Sequence, residues 1–236
     1  MPRDLWNVKM AAPVLVVTGM RFEARVAAGI GVQVICRQNA GLAPDLEKRL
    51  AHACPGIVSF GVAGGLTDAL RPGDWMIANS VMDGTHRIAC DVPWSDALRR
   101  ALPSAHGVEM IGMSAPVMGA GARHALHAAT GAAAVDMESH IVARMAHARR
   151  IPFVCCRVVV DPVERPLPPA VLAAIRGDGS TDVLAVLRSM VARPGQMPAL
   201  FALARDAWIA QRALARGRLR IGDGFGRYAL PDMLDR

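Results

Sequence analysis

Short, wholly apolar runs alternate along this chain with stretches of helical spacing. Residues 13–18 (Pro-Val-Leu-Val-Val-Thr) predict a buried first strand that stops at Gly19, and 20–28 a helix carrying Arg21, Glu23 and Arg25. A second strand follows at 32–36. A helix over 44–53 has Leu46 and Leu50 on one side, and a third strand at 56–60 empties into Gly61-Val62-Ala63-Gly64-Gly65. Another strand is predicted at 75–81, after the Pro72-Gly73-Asp74 turn. Helical segments lie near 95–102 and 121–129, then a strand at 132–135, a helix at 138–149 and a strand at 153–160. Strands apolar on both faces, alternating with helices, predict a parallel or mixed sheet covered on both sides, hence an α/β fold. Four prolines (Pro162, Pro166, Pro168, Pro169) mark a loop, not a domain linker, because helical pattern resumes at 170–176, 181–191 and 197–216. The expected organisation is one domain over 1–222, its C-terminal helices within 170–216, and a loosely ordered tail at 223–236.

Composition narrows the class. Of the 236 residues 53% are hydrophobic, enough for a sizeable core and against disorder. Aromatics are only 4%, so Ala, Val, Leu and Met must fill the interior. The formal charge is +7, yet no interleaving of basic and aromatic residues of the kind single-stranded nucleic acid needs is present. The five cysteines (Cys36, Cys54, Cys90, Cys155, Cys156) have no CxxC spacing and read as reduced core thiols of a cytoplasmic protein. No signal peptide and no stretch of about 20 apolar residues is visible. The seven histidines lack acid or cysteine companions at ligand spacing, so no metal site is expected.

Two carboxylates carry the chemistry. Asp161 ends the apolar run Phe-Val-Cys-Cys-Arg-Val-Val-Val, and Glu138 opens the helix after Ala134-Val135-Asp136. A carboxylate at the end of a buried strand is costly without a partner and is a candidate for acid chemistry. The run Gly61–Gly65 fits neither the dinucleotide nor the P-loop pattern, but its small residues let backbone N–H groups approach a ligand.

Five pieces resemble, in order and spacing, the superfamily of purine nucleoside phosphorylases and methylthioadenosine/S-adenosylhomocysteine nucleosidases. They are Val17-Thr18-Gly19-Met20-Arg21-Phe22-Glu23, Phe60-Gly61-Val62-Ala63-Gly64-Gly65-Leu66, Arg71-Pro72-Gly73-Asp74, Ala134-Val135-Asp136-Met137-Glu138, and Pro152-Phe153-Val154 through Arg157 to Asp161. The match covers roughly residues 13–165. The Asp161-Pro162 pair, Leu-Pro-Pro at 167–169, Val-Leu-Arg-Ser at 186–189 and Arg-Pro-Gly-Gln at 193–196 resemble most the branch of phosphorylases associated with hopanoid biosynthesis.

The resemblance implies a mixed, partly barrel-like central sheet flanked by helices in three layers. It implies that Asp161 protonates the purine at N7, its pKa raised by burial, and that Glu23 orients an attacking water. An ionised Glu138 would hold the ribose hydroxyls, with Met137 against the sugar. Val62, Ala63 and Gly64 would also line the substrate site, and Ser114, Val117 and Met118 the base pocket, where the stacking aromatic residue of relatives is missing. Arg21, Asn39 and Gly41 would contact phosphate, and Arg157 would be structural or help polarise the acid. Val62 stands where many relatives have a hydroxyl residue.

The expected activity is cleavage of the N-glycosidic bond of a 5′-modified adenosine with release of adenine. The branch resemblance favours adenosylhopane as substrate and a ribosyl- or phosphoribosyl-hopane as product. Phosphate or water is the co-substrate, with no cofactor, and a homodimer or larger homo-oligomer is implied. A nucleosidase acting on methylthioadenosine or S-adenosylhomocysteine, and a non-catalytic nucleoside-binding protein, are the alternatives. The helix at 197–216 sets Leu200, Leu203, Ala207 and Leu214 against arginines 205, 212 and 216, with Arg218 and Arg220 beyond. Its basic side is compatible with peripheral contact at the inner face of a membrane.

Overall fold

The computed structural model of the chain describes residues 12–38, 41–165 and 197–229. Among these residues eight strands and six helices run in the order β1 (Val14–Thr18), α1 (Arg21–Ala27), β2 (Val32–Cys36), α2 (Leu42–Leu50), β3 (Ile57–Gly65), β4 (Trp75–Asp83), β5 (His86–Ala89), α3 (Val92–Ala101), β6 (His106–Gly112), α4 (Ala120–Thr130), β7 (Ala134–Asp136), α5 (Ser139–Ala148), β8 (Phe153–Asp161) and α6 (Met197–Ile221). A short 3₁₀ segment, Asp223–Ala229, closes the described chain.

The sheet order is β2-β1-β3-β7-β6-β4-β5, with β8 paired to both β3 and β4. That second pairing closes β3, β7, β6, β4 and β8 into a five-stranded barrel, with β1, β2 and β5 as extensions. The sheet is mixed, as expected: β3 and β8 run parallel, whereas β7 meets β3, and β8 meets β4, antiparallel.

Alternation along the strands sends side chains to two sides. Leu15, Val17, Ile57, Phe153 and Cys155 pack toward α2 and α5, with Leu46, Leu50, Val142 and Ala146. Val14, Val16, Val58, Phe60, Val154 and Cys156 pack toward α3 and α6, with Trp94, Leu98, Ala210 and Leu214. Helices on both faces explain why these strands are apolar without a break.

The sequence pattern stops short at several places. The glycine-rich run Gly61–Gly65 is not a loop but the second half of β3, paired with β8 and β7. Strands β5 and β6 carry too many polar residues (His86, Arg87, His106, Glu109) to stand out by hydropathy. The segments 170–176 and 181–191 lie outside the described residues.

The stretch after Gly222, expected as a loose tail, packs onto the core through residue 227. Phe225 is fully buried, edge-on to Phe60 with ring centroids 5.1 Å apart. Its carbonyl accepts from the Trp94 indole at 2.8 Å. Arg218, expected with the outward arginines, turns inward: it donates to the Ala27 carbonyl at 3.1 Å and lies over the Phe225 ring. No described helix is long and apolar enough to cross a membrane.

Candidate active site

Strand register gathers the site. Parallel pairing of β3 with β8 sets Gly64 beside Asp161, and antiparallel pairing of β3 with β7 sets Gly64 beside Val135. The strand ends and the start of α1 then surround a cavity of about 130 Å³. Glu23, Val62, Ala63, Gly64, Val117, Met137, Glu138 and Asp161, all expected at the site, line it. Asp161 and Glu138, taken from separate sequence pieces, face one hollow.

The other expectations separate. Ser114 and Met118 are exposed and do not line the cavity; from this stretch Ala115, Pro116 and Val117 do. Arg21 is exposed on α1, and Gly41 lies at the exposed start of α2, so neither reaches the cavity. Asn39 lies outside the described residues. Among the described residues no aromatic side chain lines the cavity, and the surfaces they offer a base are Met137, Pro116 and the valines.

Glu23 is fixed by three backbone donors. One carboxylate oxygen accepts from Gly19 at 3.0 Å and Met20 at 2.8 Å, which caps α1. The other accepts from the Val62 N–H of β3 at 2.8 Å. Burial nonetheless pushes the Glu23 pKa up, against the pull of Arg157 and these N–H groups. Gly61 makes this possible. Its φ is +148°, and a Cβ there would run into the Glu23 carboxyl and the Arg157 guanidinium. Gly19 serves Glu138 in the same way: a Cβ would lie 2.7 Å from Oε1.

Arg157, 1% exposed, is the cation under three carboxyls. It lies 2.5 Å from Asp136 Oδ2 and 3.9 Å from Glu138 Oε2, and donates to Ser59 Oγ at 2.7 Å. Burial works against its charge, but Asp136 and the neighbouring acids prevail and hold its pKa above the ordinary guanidinium value. Asp136 also accepts from the Ser139 N–H and hydroxyl, which sets the first turn of α5. Glu138 makes no side-chain capping bond at that helix start.

With one arginine shared among three acids, Glu138 is left undercompensated. Burial, then the negative neighbours Asp136 and Glu23, outweigh Arg157 and push its pKa up to about 8. Burial and like charge thus work against the ionised form expected for Glu138. A protonated carboxyl can donate one hydrogen bond and accept others, which still suits a vicinal diol.

Burial was expected to raise the Asp161 pKa, with Arg157 structural or polarising the acid; Arg157 pairs with Asp136. The structure adds Arg123 of α4, buried and ion-paired with Asp161 Oδ2. A guanidinium at this range supplies the opposite charge that a buried carboxyl group otherwise lacks. Arg123 also donates to the carbonyls of Val117 at 3.2 Å, Gly65 at 3.4 Å and Asp161 at 3.3 Å. It thus ties the 112–119 loop, β3 and β8 together at the cavity wall. Sequence reasoning missed Arg123 and gave Asp136 no role. The available signals were an arginine in an otherwise small and apolar turn of α4, and an acid two positions before Glu138. Among the described residues no group of three or more His, Cys, Asp or Glu could hold a metal ion.

The arrangement brings to one cavity a carboxyl held by backbone N–H groups, a second buried carboxyl near Arg157, and a third paired with Arg123. A sequence profile described as phosphorylase superfamily matches residues 46–192. No curated protein matches the chain. Among solved structures, the chain is similar to futalosine hydrolase of Helicobacter pylori, with 13% identity, a TM-score of 0.61, and coverage of 89% of this chain and 98% of that one. It is similar also to the 5′-methylthioadenosine/S-adenosylhomocysteine nucleosidase of Neisseria meningitidis in complex with methylthio-immucillin-A, with 16% identity, a TM-score of 0.60, and coverage of 88% and 98%. A third is the corresponding Helicobacter pylori nucleosidase with butyl-thio-DADMe-Immucillin-A, at 13% identity, a TM-score of 0.60, and coverage of 87% and 97%.

Proposed function

The chain belongs to the phosphorylase superfamily, and we propose that it cleaves the N-glycosidic bond of a 5′-modified adenosine, releasing adenine. One observation carries this reading: Asp161, Glu138 and Glu23 line the same cavity, and each is held by a separate element. Similar folds in nucleosidases crystallised with adenosine-like inhibitors support the nucleoside class.

Asp161 passes a proton to N7 of the purine as the bond to the sugar breaks. Arg123 stabilises the carboxylate left behind, which makes the donation easier. Glu138 grips the ribose hydroxyls, with Met137 against the ring. The charged cluster around Arg157 favours the cation developing on the sugar where its carboxylates outnumber the guanidinium.

Water is the better-supported acceptor. The backbone N–H groups of Gly19, Met20 and Val62 would suit an incoming phosphate, but they are already occupied by the Glu23 carboxylate. A second anion there would meet like charge. Glu23 can instead take a proton from attacking water, so that its O–H breaks as the new C–O bond forms. A phosphate route would need Glu23 protonated or displaced, and the expected phosphate contacts Arg21 and Gly41 lie outside the cavity.

Adenosylhopane remains the favoured substrate within this class, from the resemblance of 161–169, 186–189 and 193–196 to the hopanoid branch. The apolar lining by Met20, Val62, Val117, Val135 and Val160 is compatible with it. Methylthioadenosine or S-adenosylhomocysteine is the second reading, favoured by the solved structures. A homodimer or larger assembly working in the cytoplasm completes the proposal.

Incubation with adenosylhopane, methylthioadenosine and S-adenosylhomocysteine, each with and without phosphate, tests all parts. Adenine release independent of phosphate is expected, lowered about 10²–10⁴-fold in Asp161→Asn. Strict phosphate dependence would overturn the acceptor. Preference for methylthioadenosine would overturn the hopanoid substrate. No release from any of them by wild type, or equal release by Asp161→Asn, would overturn the reaction.

A further inference from the structure

Helix α6 carries its one acidic residue, Asp206, on the buried side. Asp206 is held there by Arg165 at 2.8 Å and Arg205 at 3.2 Å. Ala210, Leu214 and Ile221 continue that inner face into the core.

The outer face has a different character. Phe201, Arg205, Trp208, Arg212, Arg216 and Leu219 are all exposed. At 100° per residue they fall within an arc of about 80°, and they run for about 27 Å along the helix. Phe201 is 66% exposed, Trp208 57% and Leu219 83%. These are three of only six large apolar side chains exposed among the described residues. A fourth, Ile30, shares with Leu219 a shallow groove between the end of α1 and α6. The Arg212 guanidinium lies over the Trp208 ring at 4.5 Å, so cation and aromatic form one surface.

We propose that this outer face of α6 docks on an anionic lipid bilayer, lying flat at the headgroup level. Charge decides the partner. Among the described residues, apolar side chains alternate with arginines from Phe201 to Leu219. Arg205 is shared with the buried Asp206, and Arg212 and Arg216 carry the positive charge outward. The one exposed acid nearby, Asp223, lies past Leu219 at the end of the groove, so the face as a whole complements a negative surface. Phe201, Trp208 and Leu219 reach the acyl boundary while the arginines remain among the phosphates. The helix does not meet the length and apolarity of a membrane span, so it rests on the surface. The catalytic cavity plays no part, and the surface is independent of the reaction proposed there.

Co-sedimentation of the full chain with phosphatidylcholine vesicles, with and without about a third phosphatidylglycerol, tests the surface. Binding to the anionic vesicles alone is expected, weakening as salt rises. Arg212→Gln and Arg216→Gln should each lower the partition coefficient about fivefold, and together on the order of 25-fold. In a Trp6→Phe background, brominated acyl chains should quench the fluorescence, and adding Trp208→Phe should remove that quenching, since Trp75 and Trp94 are buried. Circular dichroism identifies any variant that fails to fold, and wild-type co-sedimentation needs no substitution at all. The assignment is overturned if wild type ignores anionic vesicles, binds neutral ones equally, or binds unchanged in the double variant. It is overturned too if the double variant keeps its vesicle binding and changes only the oligomeric state, which would make the face a contact between copies.

Discussion

Arg123 and Asp161, thirty-eight residues apart, form a buried ion pair at the wall of the cavity. The acid expected to stand alone at a strand end is thus held by a helix from another part of the chain. The same guanidinium pins the loop at Val117, so the pair is both a chemical and a structural joint.

Arg123→Met should therefore damage stability and activity together. Removing one partner of a buried pair costs about 3–5 kcal/mol. Adding Asp161→Asn to Arg123→Met should cost far less than the sum of the single changes, because the lone charge is then gone. Urea denaturation of the four proteins measures this, and simple additivity would show that the two groups do not interact.

Glu138 makes stability depend on pH. Its folded pKa is about 8 against a reference of 4.5, so the folded state keeps a proton that the unfolded state gives up. The resulting stability is fully present below pH 4.5 and is lost as pH rises through about 8. Glu138→Gln keeps a neutral group there. The melting temperature of wild type should fall relative to that variant between these pH values. Parallel melting curves would refute the assignment.

Gly61→Ala places a methyl group against the Glu23 carboxyl, at a backbone φ of +148° that L residues rarely adopt. The conformational strain alone is worth about 1–3 kcal/mol. Glu23 must move as well, so adenine release should fall even where the variant remains folded. A variant with unchanged melting temperature and turnover would mean that Glu23 is not tied to β3 as described.

Phe225→Ala tests the segment after α6. Truncating a fully buried phenylalanine costs about 3–5 kcal/mol. A change below about 1 kcal/mol, the scale of surface sites, would return 223–229 to the status of a tail.

The apolar runs and their alternation with helices were enough to place six of the eight strands and to establish the α/β class. Burial on both faces leaves an unbroken local signature at β1, β3 and β8. The polar β5 and β6 left none, and Gly61–Gly65 read as a loop because glycine is rare within strands unless something crowds them. Here the crowding comes from Glu23 and Arg157. Local sequence singled out Glu138 and Asp161 at element ends, the family resemblance added Glu23, and the three line one cavity. Their partners and electrostatic surroundings were decided only by the closure of β8 onto β3 and the docking of α4. Ionisation depends on through-space distance and burial, which sequence spacing does not encode. That is why Arg123 went unnoticed and why Glu138 was expected to be ionised.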